Sequence, residues 1–338
     1  MVLEGHYLET VEGLFFAVKG SVHPPNRTIA CLRYVPWRGA SERQKGNTGY
    51  RRLYDWVDQE RFLEESYPQY LAPDPVFHRI LQSVPRESVH RIYSPHERLE
   101  ELRASARNDA LQEDAVAFAS ILQEEAGIEW RSLGISGSLL IGLHTPRSDL
   151  DLVVYGSENS RAVHRTLLAL RAAGGPVEAL GERELAALYQ ERGASAFATP
   201  EAYALRERAK AMQGCFRGRP YFIRFLKAPE ELDERYGDRI YTPLGQATIE
   251  ATVVDARESL FTPCCYRVNR VRVLEGPAVE ALTEIVSYRG RFCEQAREGE
   301  RVRAAGTLER VESTRGKVWH RLLLGNHGGD FLLPEDGR

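Results

Sequence analysis

Apolar and polar positions follow three textures along this chain. Up to about residue 93 the apolar residues come in short runs, 14–18 and 29–35, bounded by Gly20, Pro24-Pro25 and Pro36. Such runs between turn residues predict paired strands. Residues 38–49 are polar, contain Gly and Ser, show no period and predict a mobile loop. Asp74-Pro75 offers an N-cap and then proline at the first helical position, which predicts a short helix through Leu81. Val89–Tyr93 reads as a further strand. From about residue 94 the period lengthens. Ser94-Pro95-His96-Glu97 has the form of a capping box, and Leu99 and Leu102 give the helix behind it an apolar stripe. Leu111, Ala115, Phe118 and Leu122 recur at helical spacing until Gly127 stops them. Val163, Leu167 and Leu170 mark a helix ending at Gly174-Gly175, and Thr199-Pro200-Glu201 opens another ending at Gly214. Residues 221–226 form an apolar-aromatic run broken by Arg224, a predicted strand. From Gly245 the alternation is strict: Ile249, Ala251 and Val253 interleave with Thr248, Glu250 and Thr252. With the runs 266–274, 285–288, 302–308 and 318–324, this predicts a small five-stranded barrel.

These textures divide 338 residues into an N-terminal α+β module over 1–93, a central domain over 94–240 and a C-terminal small β-barrel over 241–338, a size suited to two or three domains. Hydrophobic content of 43% and charged content of 28% are ordinary for a globular protein. No run of eighteen apolar residues exists, so no membrane partner is expected. The first ten residues carry early charge and no apolar signal core. The five cysteines form no Cys-x-x-Cys pair, and their odd number argues against a disulfide framework. A cytoplasmic location is the simplest expectation. The nine histidines and the cysteines show no zinc spacing.

One segment demands a particular chemistry. Gly137-Ser138 forms a small turn, and Asp149-Leu150-Asp151 enters an apolar strand after it. Two residues apart on a strand, Asp149 and Asp151 project from one face. Carboxylates aimed at one point repel unless a cation lies between them. Oxygen-only ligands suit Mg²⁺ (or Mn²⁺), which binds one or two carboxylates together with substrate phosphates. The Gly137-Ser138 turn lets backbone N–H groups and a hydroxyl approach phosphate oxygens.

This pattern, a Gly-Ser pair followed after about ten residues by Asp-x-Asp between apolar residues, resembles the DNA polymerase β-like nucleotidyltransferase superfamily. The Val-Lys-Gly run 18–20, the His-Pro-Pro run 23–25 and the Phe-Thr-Pro run 261–263 make the whole chain similar to a mostly archaeal group of predicted nucleotidyltransferases. The resemblance implies a palm with a mixed sheet, an NTP substrate, a metal site at Asp149 and Asp151, and phosphate binding at Gly137 and Ser138. It also implies a third carboxylate on a neighbouring strand. The strand assigned to that place, 221–226, carries Arg224 and no acid. Asp255 is the first substitute as a catalytic carboxylate, with Glu250 and Glu178 behind it. Arg147, Arg224 and Lys227 are candidates to hold the nucleotide's phosphates and the leaving pyrophosphate.

The net charge of −3 hides local asymmetry. Residues 27–52 and 203–227 each concentrate Arg and Lys among aromatic rings, a combination suited to RNA or DNA. An oligonucleotide-binding (OB) fold would match the size of the C-terminal barrel. The expected activity is transfer of a nucleoside monophosphate to a hydroxyl, on a nucleic-acid end, a protein or a small molecule. The alternative is a binding protein that keeps the palm fold with weak or no turnover.

Overall fold

The computed structural model describes residues 2–193 and 199–335. It is mixed α+β and falls into two compact units, one of Met1–Asp74, Arg79–Glu178 and Cys215–Tyr236, the other of Pro75–His78, Ala179–Gly214 and Gly237–Arg338.

The first unit holds two sheets. The first sheet contains β1 (Tyr7–Thr10), β2 (Phe15–Val18), β3 (Arg27–Trp37), β4 (Gln44–Lys45), β5 (Thr48–Arg52), β6 (Leu71–Asp74), β7 (Arg79–Pro85) and β8 (Val89–Tyr93). Its order is β4-β5-β3-β2-β1-β8, with β7 also pairing β3 and β6 pairing β7. Both faces are apolar. Ala30, Leu32 and Val35 of β3 bury one face with Leu63 of α1 (Trp56–Ser66). Tyr7, Phe15, Tyr34 and Tyr50 pack the other face against Leu140, Ile141 and Leu143.

Those last three residues belong to the second sheet's connections. This sheet comprises β9 (Leu133–Ile135), β10 (Leu150–Tyr155), β11 (Val177–Glu178), β12 (Gln213–Phe216) and β13 (Arg219–Leu226), ordered β11-β12-β13-β10-β9. Strand β10 runs parallel to β13 and antiparallel to β9. The helices α2 (Pro95–Ala104), α3 (Ala110–Ala126) and α5 (Ser157–Ala173) belong to this part, and α4 (Gly137–Leu140) is a single turn after β9. Capping signals set their ends. Ser94 Oγ accepts from the Glu97 N–H, Asp109 and Gln112 form a reciprocal capping box, and Gly127 stops α3 at φ 64°. Phe118 of α3 stacks on Phe216 of β12 at 4.7 Å between ring centroids.

The second unit carries α6 (Glu182–Leu188), α7 (Pro200–Ala209) and a third sheet of β14 (Arg239–Asp255), β15 (Cys264–Glu275), β16 (Leu282–Ser287), β17 (Arg301–Ser313), β18 (Val318–Leu324) and β19 (Phe331–Pro334). The order β14-β15-β16-β18-β17 closes into a ring through a β14–β17 pairing, and β16 and β18 are parallel. Ile249, Ala251 and Val253 point into its core, as their alternation predicts. A buried ion pair, Arg321 to Glu309 at 2.7 Å, lies inside this unit.

Three local expectations are corrected. Residues 74–81 form no helix. Asp74 ends a strand and Arg79 begins the next, with Asp74 opposite Arg79 and Leu71 opposite Gln82. The cap signal at Asp74-Pro75 is overridden because β7 also pairs β3, from Arg27 opposite Pro85 to Ile29 opposite Ser83. Residues 38–49 hold β4 and the start of β5, a hairpin tied down by side-chain bonds described below. The helix after Thr199 ends at Ala209, since residues 213–216 join the second sheet. Among the described residues no helix is long and apolar enough to cross a membrane.

Candidate active site

The two halves of the Gly-Ser/Asp-x-Asp segment meet at one point. Gly137 follows β9 at φ 62°, a left-handed conformation that favours glycine. A Cβ built there would lie 1.9 Å from Asp151 Oδ2. The Asp151 carboxylate therefore packs directly on the glycine backbone. The Ser136 N–H donates to the Asp151 carbonyl at 2.8 Å, locking the turn to the strand. Ser136 Oγ donates to the Gly5 carbonyl at 2.7 Å, so the segment before β1 is fastened to the same turn. Ser138 is buried, and its carbonyl accepts from the Leu143 N–H at 2.9 Å. Asp149 is exposed at the entry to β10, and Asp151 is half-buried two positions on. Extended backbone at that spacing gives the two side chains a common face.

In the parallel register the residue opposite Asp151 is Phe222 and that opposite Val153 is Arg224. The neighbouring strand thus offers an aromatic ring and a guanidinium on the face where a third acid was sought. Arg224 Nη1 bonds Glu4 Oε1 at 2.9 Å, and Lys19 Nζ reaches the same oxygen at 3.0 Å. Glu4 is 1% exposed. Burial opposes its charge, but Lys19, Arg224 and the Gly20 N–H together hold its pKa below the ordinary carboxylate value. At Asp151 burial dominates and raises the pKa, with Arg52, Arg224 and Arg33 working against it. Three arginines from three strands thus act on one half-buried carboxylate. Arg33 and Arg52 escaped the reading of site residues because each is distant in sequence from the motif. The one available signal was a charged residue, Arg33, inside the apolar run 29–35.

The β4–β5 hairpin holds the loop between the motif halves. Arg43 Nη1 donates to the Leu143 carbonyl at 2.6 Å, and Lys45 Nζ to the Ile141 carbonyl at 3.3 Å. Arg147 Nη2 reaches both oxygens of Glu42 at 2.8 Å. Arg147 is thus a tether between hairpin and loop. Lys227 lies beyond the end of β13, where its charge helps lower the pKa of Glu231.

The substitute acids each have a setting of their own. Asp255 is on β14, in the ring of the second unit, where Arg257 grips both its oxygens and brings its pKa down to about 2. Glu250 is engaged by Arg272 at 2.7 Å. Glu178 is on the edge strand β11, three strands from β10. At about 4.8 Å per strand that is roughly 14 Å, too far to share an ion. Among the described residues no group of three or more His, Cys, Asp or Glu is arranged to hold a metal. Two carboxylates suit one Mg²⁺ that completes its shell with water and phosphate oxygens. Two ions would need more acid than the neighbouring strand supplies.

The basic stretches also resolve. In 203–227, Arg206 pairs with Glu300, Lys210 with Glu207, Arg217 and Arg219 with Asp114, and Arg224 with Glu4. In 27–52, Arg27 bonds Ser83 and the Gln69 carbonyl, while Arg43 and Lys45 brace the loop. Arg33, Arg38, Arg51 and Arg52 have no carboxylate partner among the described residues.

Comparison with known proteins shows the family to which the chain belongs. Residues 117–198 match the model of the nucleotidyltransferase domain family, a span containing Gly137, Ser138, Asp149 and Asp151. An uncharacterized protein of Methanocaldococcus jannaschii is 30% identical over 326 residues, covering 94% of each chain. No solved structure matches the chain. The chain belongs, with that archaeal relative, to the DNA polymerase β-like nucleotidyltransferase superfamily.

Proposed function

We propose that the protein moves a nucleoside monophosphate from an NTP to a hydroxyl acceptor, using Mg²⁺ or Mn²⁺ held by Asp149 and Asp151. The observation that carries the reading is the contact of the Asp151 carboxylate with Gly137, which joins the phosphate-approach turn to the acid strand. When bound, the ion supplies charge neutralisation at the α-phosphate. Asp149 and Asp151 orient it, one from an exposed and one from a half-buried position. Ser138 and the backbone of 137–139 position the outer phosphates, and Arg224 adds a cation beside the acid strand. Glu4 in turn fixes Arg224.

A closed ring with parallel β16 and β18 supports an OB-like reading of the C-terminal barrel, and hence a nucleic-acid acceptor. The pairing of most cations in 203–227 removes that stretch as support. A second reading, a nucleotide-binding protein with weak turnover, draws on Phe222 and Arg224 standing where an acid was expected.

Incubation with radiolabelled NTPs, Mg²⁺ and pooled RNA, DNA and protein acceptors tests the proposal. Asp149→Asn and Asp151→Asn are expected to abolish transfer with little change in melting temperature. Gly137→Ala, which drives a methyl group into Asp151, is expected to lower transfer by at least about tenfold. Near-wild-type transfer by either Asp variant would refute the site. NTP binding without label transfer to any acceptor would favour the second reading.

A further inference from the structure

We infer that Arg33 and Arg52, from the N-terminal sheet, supply the positive charge that a second metal ion would bring: they bind the nucleotide's phosphates directly, and Asp149 and Asp151 hold a single divalent ion. This rests on the nucleotidyltransferase reading and names the groups that complete its site.

The backbone of β3 places Arg33 for this role. Phe15 of β2 pairs with Tyr34 and Phe16 with Leu32, so Arg33 is an extra residue in the ladder. Such a bulge re-aims side chains and commonly lies beside active sites. Here Leu32 and Val35 belong to the core on one face of the sheet. Tyr34 belongs to the core on the other face, with Leu140, Ile141 and Leu143 of the motif loop. Two residues, Arg33 and Tyr34, therefore occupy the stretch between inward-facing Leu32 and Val35, and the bulge turns both toward the motif. Arg52 reaches the same face because it pairs with Tyr34 and lies two positions beyond Tyr50. The Leu53 N–H donates to the Arg33 carbonyl at 2.9 Å, joining the two arginine-bearing segments.

Neither guanidinium has a carboxylate within 4 Å among the described residues, though both are half-buried. Arg52 Nε is buried with no hydrogen-bond partner. A buried, unsatisfied guanidinium nitrogen is costly unless an anion completes it. Asp151 feels both arginines as well as Arg224. Asp149, Asp151 and Glu4 bring three negative charges, against four positive ones from Arg33, Arg52, Arg224 and Lys19. Such a balance welcomes a polyphosphate with a divalent ion, and a second ion would need ligands of its own. The β13 positions facing Asp151 and Val153, Phe222 and Arg224, add no ligand for one.

Calorimetric titration with inorganic tripolyphosphate, without metal, reads the anion site alone. Arg33→Ala and Arg52→Ala are each expected to weaken binding at least about tenfold, the scale of a charge-assisted hydrogen bond. Arg33→Lys and Arg52→Lys should retain part of the affinity, since they keep the charge without the planar fork. Electron paramagnetic resonance of the wild-type protein with Mn²⁺ and a non-hydrolysable NTP analogue should count one bound ion per chain, a readout that needs no variant. Two ions per chain, or tripolyphosphate affinity unchanged in both Ala variants, would overturn the inference while leaving NTP transfer standing. Wild-type protein that binds neither tripolyphosphate nor the analogue would overturn it together with the transferase reading.

Discussion

Gly137 shows how little room the site leaves. Its backbone fills the space that any side chain would take from Asp151, and its φ of 62° is one an L-residue seldom adopts. Glu4 shows the opposite case, a residue far from the motif in sequence that fixes Arg224 on the strand beside it. It lies between Lys19 and Arg224, almost fully buried. Removing one partner of a buried pair strands the others' charge and costs about 3–5 kcal/mol. Glu4→Gln is therefore expected to destabilise the protein by about that amount at neutral pH. Burial alone would raise the Glu4 pKa, but its cationic partners and the Gly20 N–H leave it lowered. The folded chain thus binds the proton less readily than the unfolded one, whose value is about 4.3. The stabilisation is complete above that value and drains away as pH falls through the lower folded value. Chemical denaturation across pH should show wild type and Glu4→Gln converging in acid. A gap that persisted unchanged to the lowest accessible pH would mean that packing, not charge, sets the loss.

Among the elements, the β4–β5 hairpin departs furthest from its sequence texture. Residues 38–49 are polar and aperiodic, yet Glu42, Arg43 and Lys45 each find a partner on the 141–147 loop. These bonds cross about a hundred residues of chain, so no local pattern announces them. The loop they brace has little regular structure of its own and depends on such ties for its shape. Arg43→Ala should therefore accelerate amide hydrogen exchange across 141–148 and reduce NTP transfer. Its effect on the melting temperature should be only a few degrees, since one hydrogen bond contributes about 1 kcal/mol. Exchange rates that stayed at wild-type values would show that the loop is held by Leu140, Ile141 and Leu143 packing instead.

At the scale of the whole molecule, charge is distributed unevenly in use as well as in number. The 203–227 stretch is largely neutralised by its own ion pairs, whereas Arg38 and Arg51 are exposed and unpaired by any carboxylate among the described residues. Arg51 lies over the exposed Trp37 ring at 4.5 Å. If single-stranded nucleic acid is the acceptor, its backbone should be met by the N-terminal sheet. Reversing Arg38 and Arg51 to Glu should then flatten the plot of log affinity against log salt by about 0.7 for each phosphate that is no longer neutralised. Reversing Arg217 and Arg219, already paired with Asp114, should change the slope far less. Fluorescence titrations of labelled single-stranded RNA and DNA would decide it, and the opposite ranking of the two double variants would exclude this face.

Periodicity and punctuation were sufficient where a segment's neighbours are local. The strand Val89–Tyr93, the helix from Ser94 and the stop of α3 at Gly127 follow from caps, turns and apolar spacing. The Gly137-Ser138 and Asp149-Leu150-Asp151 segment was equally legible, because backbone freedom, two like charges and their separation are all written within 15 residues. Tertiary structure decided what depends on distant partners. Residues 71–85 became a hairpin because β3 offered a ladder to pair with. The roles of the cations were likewise assigned by the groups around them. Arg147 and Arg224 found carboxylates, Glu42 and Glu4, from the first 42 residues, while Arg33 and Arg52 have none within 4 Å among the described residues. A charged side chain is identified by its sequence, but whether it is neutralised, buried or available to a ligand depends on the groups the fold brings to it.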